Sequence, residues 1–222
     1  MTRIGRAPRA DSPIETIGEI HAYKIPSMAT IGQDQMNRVS VFGTKTVPIK
    51  KDYAIRIPTL GSWGYEDGGQ TQPHVSATLS VSFVNDDASH LGMPLPAGSV
   101  RVYEKDEQGQ DRYTGAASIA DTPKKEHVNL TLSNVFDVYA EYKVLKSARL
   151  DKHRVRKTVV VTLHNEKKSG VTIRMVQGYE SRWTPIVESD KSEKLDSNTV
   201  QWKLPVKAGE ERRLTYSVDM RE

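Results

Sequence analysis

The stretch "HVSATLSVSFVND", residues His74–Asp86, decides the fold class of this chain of 222 residues. Apolar residues occupy every second position from Val75 to Phe83, and serine or threonine fills the positions between them. A period of two places all the apolar side chains on one face of an extended chain. The stretch therefore predicts a β-strand with one buried face.

The same alternation recurs along most of the chain, for example in "IHAYKI" at 20–25, "HVNLTLS" at 127–133 and "TVQWKLPV" at 199–206. Turn residues separate the runs. In "DEQGQD" (Asp106–Asp111), Gly109 supplies the positive φ that a hairpin loop needs. A dozen or more short strands without a convincing helical period predict an all-β fold.

The fold class that this pattern predicts is a tandem pair of Ig-like antiparallel β-sandwiches, and the alternative is one large β-sandwich. Polar residues and two prolines at the start indicate a flexible tail over residues 1–17. The first sandwich is then expected at 18–135 and the second, Ig-like one at 136–222.

Composition narrows the classes of protein and partner. The net charge is only +4, from 32 Lys and Arg against 28 Asp and Glu, and both signs are interspersed. This argues against a dedicated nucleic-acid-binding protein. No run reaches the roughly 18 apolar residues of a membrane span, and the first residues lack the apolar run of a signal peptide. We therefore expect no integral membrane segment and no nucleic-acid partner.

Motifs for catalysis or cofactors are missing from the sequence. The chain has no cysteine, which excludes disulfides and thiolate metal sites. Leu60 in "LGSWG" stands where a nucleophile elbow needs glycine. The six histidines show no metal-binding spacing, and no phosphate-binding glycine loop is present. The sequence predicts no catalytic residue, no metal site and no cofactor.

A long polar loop at 58–73 contains the one cluster of acids and aromatic residues that stands on a loop, namely Trp63, Tyr65, Glu66 and Asp67. Aromatic faces can stack on sugar rings, and β-sandwiches carry binding residues in their loops. These four residues are candidate binding residues. A mobile loop with a few packed aromatic residues is the alternative interpretation.

The segment 143–168 is rich in basic residues, among them Arg154 and Arg156, and has only Asp151 and Glu166 to balance them. Such a segment can attract an anionic polymer. A solvated strand edge carries the same residues, because charge deters edge-to-edge aggregation. Arg154 and Arg156 are candidate binding residues under the first interpretation.

Several stretches together resemble the C-terminal domain of the mucoidy-inhibitor-like proteins, a domain family of unknown function. The resemblance covers residues 18–220 and is carried by Leu95–Gly98, Arg101–Tyr103, Gly109, Ile119–Pro123, Phe136–Val138, the strand–turn–strand segment at 161–189 and the closing hairpin at 204–218. The chain departs from the family pattern at Lys125-Glu126 and around Ser133-Asn134, where the family has glycine.

This resemblance implies a β-sandwich protein of the bacterial cell envelope, in the periplasm or at the cell surface, with no known enzyme activity. We therefore expect a non-catalytic module that binds an envelope protein or polysaccharide, or that has a structural role. The alternatives are a polysaccharide-acting hydrolase that uses Glu66 and Asp67, and binding of an anionic polymer through the segment 143–168. The sequence leaves the oligomeric state open.

Overall fold

A computed structural model of the protein describes residues 14–17, 20–23, 45–61 and 72–221. The described residues form strands and loops without a helix, which confirms the predicted all-β class. The strands are β1 (Ile14–Ile17), β2 (Ile20–Tyr23), β3 (Lys50–Leu60), β4 (Gln72–Val84), β5 (Gly98–Lys105), β6 (Asp111–Ile119), β7 (His127–Arg149), β8 (Arg154–Asn165), β9 (Val171–Tyr179), β10 (Arg182–Glu188), β11 (Glu193–Lys194), β12 (Thr199–Val206) and β13 (Glu210–Arg221).

Nine of these strands form one sheet in the order β10-β13-β8-β7-β4-β3-β9-β12-β11. The hairpins β1–β2 and β5–β6 are separate two-stranded sheets. The prediction of purely antiparallel sheets is wrong at one pair, because β3 runs parallel to β9, with Tyr53 opposite Ile173. The chain makes five other strands between β3 and β9 before it returns to this pairing.

Strand β7 is longer than its sequence pattern indicated. The pattern "HVNLTLS" predicts a strand that ends at Ser133, but β7 runs unbroken from His127 to Arg149 over 23 residues. No glycine or proline lies between His127 and Arg149, so nothing in the backbone forces a turn there. The predicted boundary between residues 135 and 136 falls inside this strand, and strands from both sides of it share the nine-stranded sheet.

Alternation along the strands produces one buried core. In β8, every second residue from Val155 to Leu163 is buried, and the same holds for β13 from Leu214 to Met220. Core residues also come from β3, β4, β7, β9 and β12. Strands far apart in the strand order thus bury their apolar faces together, and burial of a large side chain stabilises the fold by about 1.5–3 kcal/mol.

The centre of this core joins β9, β12 and β13. The rings of Trp202 and Tyr216 lie 5.0 Å apart, and the Tyr216 hydroxyl donates a hydrogen bond of 2.7 Å to Oε1 of Gln177. Full burial raises the pKa of Tyr216 well above its usual value, so the hydroxyl remains a donor. Trp202 is buried, whereas Trp183 is partly buried and packs against the core.

The described residues belong to two compact units. The first contains β1, β2 and the segments 45–48, 83–98 and 119–128, and the second contains 49–61, 72–82, 99–118 and 129–221. Residues 14–17, which the sequence assigned to a flexible tail, form β1 and pair with β2, with Ile17 opposite Ile20. The remainder of that predicted tail lies outside the described residues.

In the first unit, the buried side chain of Asn85 joins two loops. Its amide nitrogen donates to the carbonyl oxygens of Met93 (2.7 Å), Pro123 (2.9 Å) and Thr122 (3.3 Å), and its oxygen accepts the backbone N–H of Gly92 (3.2 Å). Every polar atom of this side chain is therefore satisfied inside the protein. We call these five residues the Asn85 corner.

The same loops are joined by a backbone bridge. Leu95 and Thr122 donate to each other's carbonyl oxygens at 2.9 Å in both directions. Thr122 precedes Pro123, which disfavours helical geometry and keeps Thr122 extended enough to pair. These residues belong to two of the sequence features on which the family resemblance rests, and their role in the structure is to hold the chain where it changes direction.

In the second unit, Asn165 makes the corresponding arrangement at the end of β8. Its amide nitrogen donates to the carbonyl oxygens of Lys207 (2.9 Å), Ser169 (3.0 Å) and Val206 (3.1 Å), and its oxygen accepts the backbone N–H of Lys167 (3.2 Å). We call these residues the Asn165 corner. It fixes the β8–β9 turn to the β12–β13 turn.

Candidate functional site

The sequence predicts binding by four residues of the loop at 58–73. Trp63, Tyr65, Glu66 and Asp67 lie outside the described residues, which end at Gly61 and resume with β4. Their proposed role in binding, and the hydrolase hypothesis that depends on the two acids, therefore stay predictions.

The strand β8 that the basic segment 143–168 contains is not an edge strand. It comprises the end of β7, the turn at 150–153, β8 and the turn that follows. Strand β8 lies between β13 and β7, so both of its edges are hydrogen-bonded, and β7 lies between β8 and β4. The interpretation as a solvated edge is wrong for β8, because the charges of β8 stand on the faces of an interior strand; for the rest of the segment it stays a prediction.

The two candidate arginines of this segment already have carboxylate partners. Nε of Arg154 lies 2.6 Å from Oδ2 of Asp151 in the adjoining turn. Arg156 binds Asp219 of β13 with two hydrogen bonds of 2.6 and 2.9 Å, one to each carboxylate oxygen. The hydrogen bonds from Arg156 hold the pKa of Asp219 below its usual value, so this pair stays ionised in mild acid.

Lys157 is a buried member of the same segment. Its side chain points into the second unit, and its Nζ donates a hydrogen bond of 2.7 Å to the carbonyl oxygen of Gly61. Burial lowers the pKa of Lys157, and the nearby carboxylate of Glu180 opposes that change. Lys157 therefore holds the end of β3 in place and is not part of a solvated basic surface.

The hairpin β5–β6 carries exposed aromatic residues that sequence reasoning missed. Tyr103 and Tyr113 are 52% and 61% exposed, and their rings meet edge to face with centroids 5.7 Å apart. The hairpin loop closes through a hydrogen bond from Asp106 N to Gln110 O, which places the two tyrosines opposite each other. Counting outward from that loop would have revealed the pair. We call this element the tyrosine hairpin.

The tyrosine hairpin is fixed to the second unit through its inner residues. Glu104 accepts an ion pair of 2.6 Å from Lys51 of β3. A Cβ atom at Gly115 would lie only 3.0 Å from Cβ of Leu132, so glycine permits the close approach of β6 to β7. The exposed rings therefore stand on an anchored element.

Two of the histidines stack against the ring of one tyrosine. The rings of His74 and Tyr139 stack at 4.0 Å and those of Tyr139 and His164 at 4.4 Å, across β4, β7 and β8. Nδ1 of His164 lies 3.2 Å from the carboxylate of Glu211. Among the described residues, no group of three or more histidine or acidic side chains is arranged to hold a metal ion.

The structure contains no helix in its described part that is long and apolar enough to cross a membrane. In comparisons with known proteins, no family model matches the chain, and no curated protein matches its sequence. The resemblance to the mucoidy-inhibitor-like domain thus stays a prediction that rests on the sequence features described above.

Proposed function

We propose that the protein is a non-catalytic binding module of the bacterial cell envelope and that the tyrosine hairpin is its principal contact surface. The observation that carries this proposal is the exposed pair of Tyr103 and Tyr113 on an anchored hairpin. The place in the envelope follows from the family resemblance of the sequence.

Tyrosine supplies a large contact area at a small cost in conformational entropy, and it is enriched at the energetic centres of protein interfaces. Here the two rings stabilise each other's orientation through their edge-to-face contact, so little ordering remains to be done on binding. The hairpin is thus suited to make contact without rearrangement.

The charges around the two rings are compensated. Lys105 pairs with Asp111 at 3.0 Å, and Arg112 pairs with Asp106 at 2.8 Å. A surface of paired charges around two aromatic rings resembles the polar rim and apolar centre of a protein interface. The two rings are also inclined at 64°, which does not provide one flat platform for a sugar chain. These features favour a protein partner over a polysaccharide at this surface.

We further propose that the nine-stranded sheet folds into one large β-sandwich, with β3, β9, β12 and β11 in one layer. The shared core and the contact between Trp202 and Tyr216 support two packed layers. Strands on both sides of residue 135 lie in the same sheet, which favours a single sandwich over a tandem pair. In this arrangement the tyrosine hairpin projects from a rigid support.

The binding proposal is tested with the double variant Tyr103→Ala/Tyr113→Ala. Protein partners are first captured from bacterial envelope extract at physiological salt, and the affinity of a purified partner is then measured by calorimetry. We expect each tyrosine to contribute about tenfold or more to the affinity, as interface hot spots do. The thermal stability should change little, because both rings are exposed.

Phe136→Ala serves as the matched control, because Phe136 is an exposed aromatic residue of β7 at 84% exposure. The proposal requires that this control binds like the unchanged protein. A partner that is lost only with Trp63→Ala/Tyr65→Ala would move the contact to the predicted loop. A partner whose affinity no tyrosine variant changes would overturn the assignment of the hairpin.

A further inference from the structure

A row of three arginines crosses three adjacent strands of the large sheet. Arg182 of β10 lies directly opposite Arg221 of β13, and Arg221 lies directly opposite Arg154 of β8. Directly opposite residues in antiparallel strands project from the same face, with Cβ atoms about 4.5–5.5 Å apart. The three guanidinium groups therefore share one small surface, which we call the arginine row.

The face that carries the row is the outer face of the sheet. The neighbours of these arginines along the strands, Trp183, Met220 and Val155, point to the opposite side and pack in or against the core. All three arginines are exposed. The row is thus open to a ligand.

Among the described residues, the positive charge of the row exceeds what the nearby acids can balance. Arg154 has Asp151 as its partner, and Asp219 is occupied by two hydrogen bonds from Arg156. In the described part of the chain, neither Arg182 nor Arg221 has an ion pair. Like charges placed directly opposite each other destabilise a sheet. An anionic ligand would relieve this repulsion.

Hydroxyl groups stand beside the arginines on the same face. On this face, the pair of Arg182 and Arg221 is followed by the pair of Thr184 and Asp219. One pair further along β13 and β8, the hydroxyls of Ser217 and Thr158 lie 2.9 Å apart. The surface therefore offers guanidinium groups for carboxylates and hydroxyl groups for neutral oxygen atoms.

We propose that the arginine row binds an acidic polysaccharide, whose carboxylates pair with the guanidinium groups and whose hydroxyls meet Thr184, Ser217 and Thr158. The row spans two interstrand spacings, about 10 Å, which is enough for consecutive acidic sugars. Arginine forks pair well with planar carboxylates, as Arg156 and Asp219 already demonstrate. The outer-face pairs around the arginine row, Arg182–Arg221, Arg221–Arg154, Thr184–Asp219 and Ser217–Thr158, include no aromatic side chain on which a base could stack. This disfavours a nucleic acid.

This surface is distinct from the tyrosine hairpin, and the inference goes beyond the protein-binding function proposed for that hairpin. The arginine row also differs from the site that the sequence predicted, in which the contiguous segment 143–168 binds an anionic polymer. Two of the three arginines come from strands outside that segment, and they meet Arg154 only through the order of strands in the sheet.

The test measures binding of polygalacturonate, a linear polyuronate, at an ionic strength of about 0.15 M. The triple variant Arg154→Gln/Arg182→Gln/Arg221→Gln should bind about tenfold more weakly, which is what three exposed ion pairs of typical strength supply together. The matched control Arg56→Gln/Lys167→Gln/Arg213→Gln removes the same charge elsewhere and should bind within twofold of the unchanged protein. Fully methyl-esterified polygalacturonate should not bind.

A stability measurement accompanies the binding assay. Because the triple variant removes repulsion between opposite strands, its melting temperature without ligand should equal or exceed that of the unchanged protein. Tyr103→Ala/Tyr113→Ala should bind polygalacturonate normally, so failure of the protein-binding proposal would leave this one intact. Equal losses in the triple variant and the control, no binding to polygalacturonate, or tighter binding to single-stranded DNA or phosphatidylglycerol vesicles would each overturn the proposal.

Discussion

In both the Asn85 corner and the Asn165 corner, a buried asparagine side chain joins two loops through hydrogen bonds to their backbone. In each, a buried asparagine at the end of a long strand donates to three backbone carbonyls and accepts one backbone N–H. The difference lies in the donor of that N–H. It is Gly92, with φ of 73°, at the Asn85 corner and Lys167, two residues after the asparagine, at the Asn165 corner.

This comparison shows that a buried side-chain amide can bind the backbone of two distant loops, which the residues of a single turn do not do. Backbone carbonyls at the ends of strands have no ladder partner, and a buried carbonyl without a hydrogen bond costs about 1–3 kcal/mol. One carboxamide donates to three carbonyls, among them that of Thr122, which also accepts from Leu95, and it brings together loops that are about 40 residues apart in the chain. The local backbone then adapts to the corner, through glycine in one unit and an ordinary turn in the other.

The largest expected effect comes from Asn165→Asp and Asn85→Asp, which keep the shape but replace the donating amide with a carboxylate facing three carbonyl oxygens. We expect each to lower the free energy of unfolding by about 4 kcal/mol at neutral pH, measured by urea denaturation. Burial raises the pKa of such a carboxyl, so the variant should recover stability as the pH falls and a proton restores one donor.

The alanine variants at the same positions serve as controls for charge. Each should lose about 3 kcal/mol, because the buried carbonyls lose the hydrogen bonds from the side-chain amide, and the loss should not depend on pH. Hydrogen exchange should localise the damage to the segments 83–98 and 119–128 for Asn85→Ala. If both alanine variants unfold with unchanged midpoints, the corners do not have the role assigned to them.

An effect of intermediate size on stability should distinguish the two corners when Gly92 or Gly170 is replaced by alanine. Gly92→Ala places a side chain at φ of 73°, where its Cβ would also meet the side chain of Asp87, and should cost about 1–2 kcal/mol. Next to the Asn165 corner, a Cβ on Gly170 would meet its nearest neighbour, the oxygen of Val206, at an ordinary 3.5 Å. Gly170→Ala should therefore change stability by no more than about 0.5 kcal/mol in thermal denaturation. Equal losses at both positions would contradict this contrast.

The smallest expected effect is on the pH dependence of the unfolding free energy at acidic pH. The two asparagines do not contribute to it, because their side chains do not titrate. The pKa of Asp219 is lowered by its hydrogen bonds to Arg156, so the native state binds fewer protons than the unfolded chain just below the usual aspartate pKa of about 3.9. The stabilisation is present above that pH and is lost as the pH falls through the lowered pKa. Asp219→Asn should flatten this part of the unfolding free-energy curve between pH 2 and 5, and an unchanged slope would show that the pair is not responsible.

The sequence supported the fold class well because alternation is local. The strand at 199–206 and the hairpin loop with Gly109 at φ of 77° appear as predicted. The partners of the strands could not be predicted, since the parallel pairing of β3 with β9 depends on contacts between distant residues. The long strand β7 was divided in the prediction because Ser133, Asn134 and Asp137 are residue types that favour turns.

The surfaces with proposed functions were predicted less completely for the same reason. Arg154 was a candidate from composition, but Arg182 and Arg221 join it only through strand order, which has no local signal. Lys157 counts as one more charge in a sequence, whereas its place on the inner face of β8 buries it. The tyrosine hairpin was missed as well, although its loop has a local signal from which the residues that face each other could have been counted.

The parallel pairing of β3 also has a consequence for the newly made chain. Asp52 of β3 and Arg174 of β9 form an ion pair across 122 positions of sequence, so β3 leaves the ribosome long before its neighbour exists. During that interval, at about 5–20 residues per second, one edge of β3 and its apolar residues Ile55 and Ile57 have no partner strand. Assembly of this sheet is thus expected to be slow, and chaperones that shield nascent strands should raise its yield.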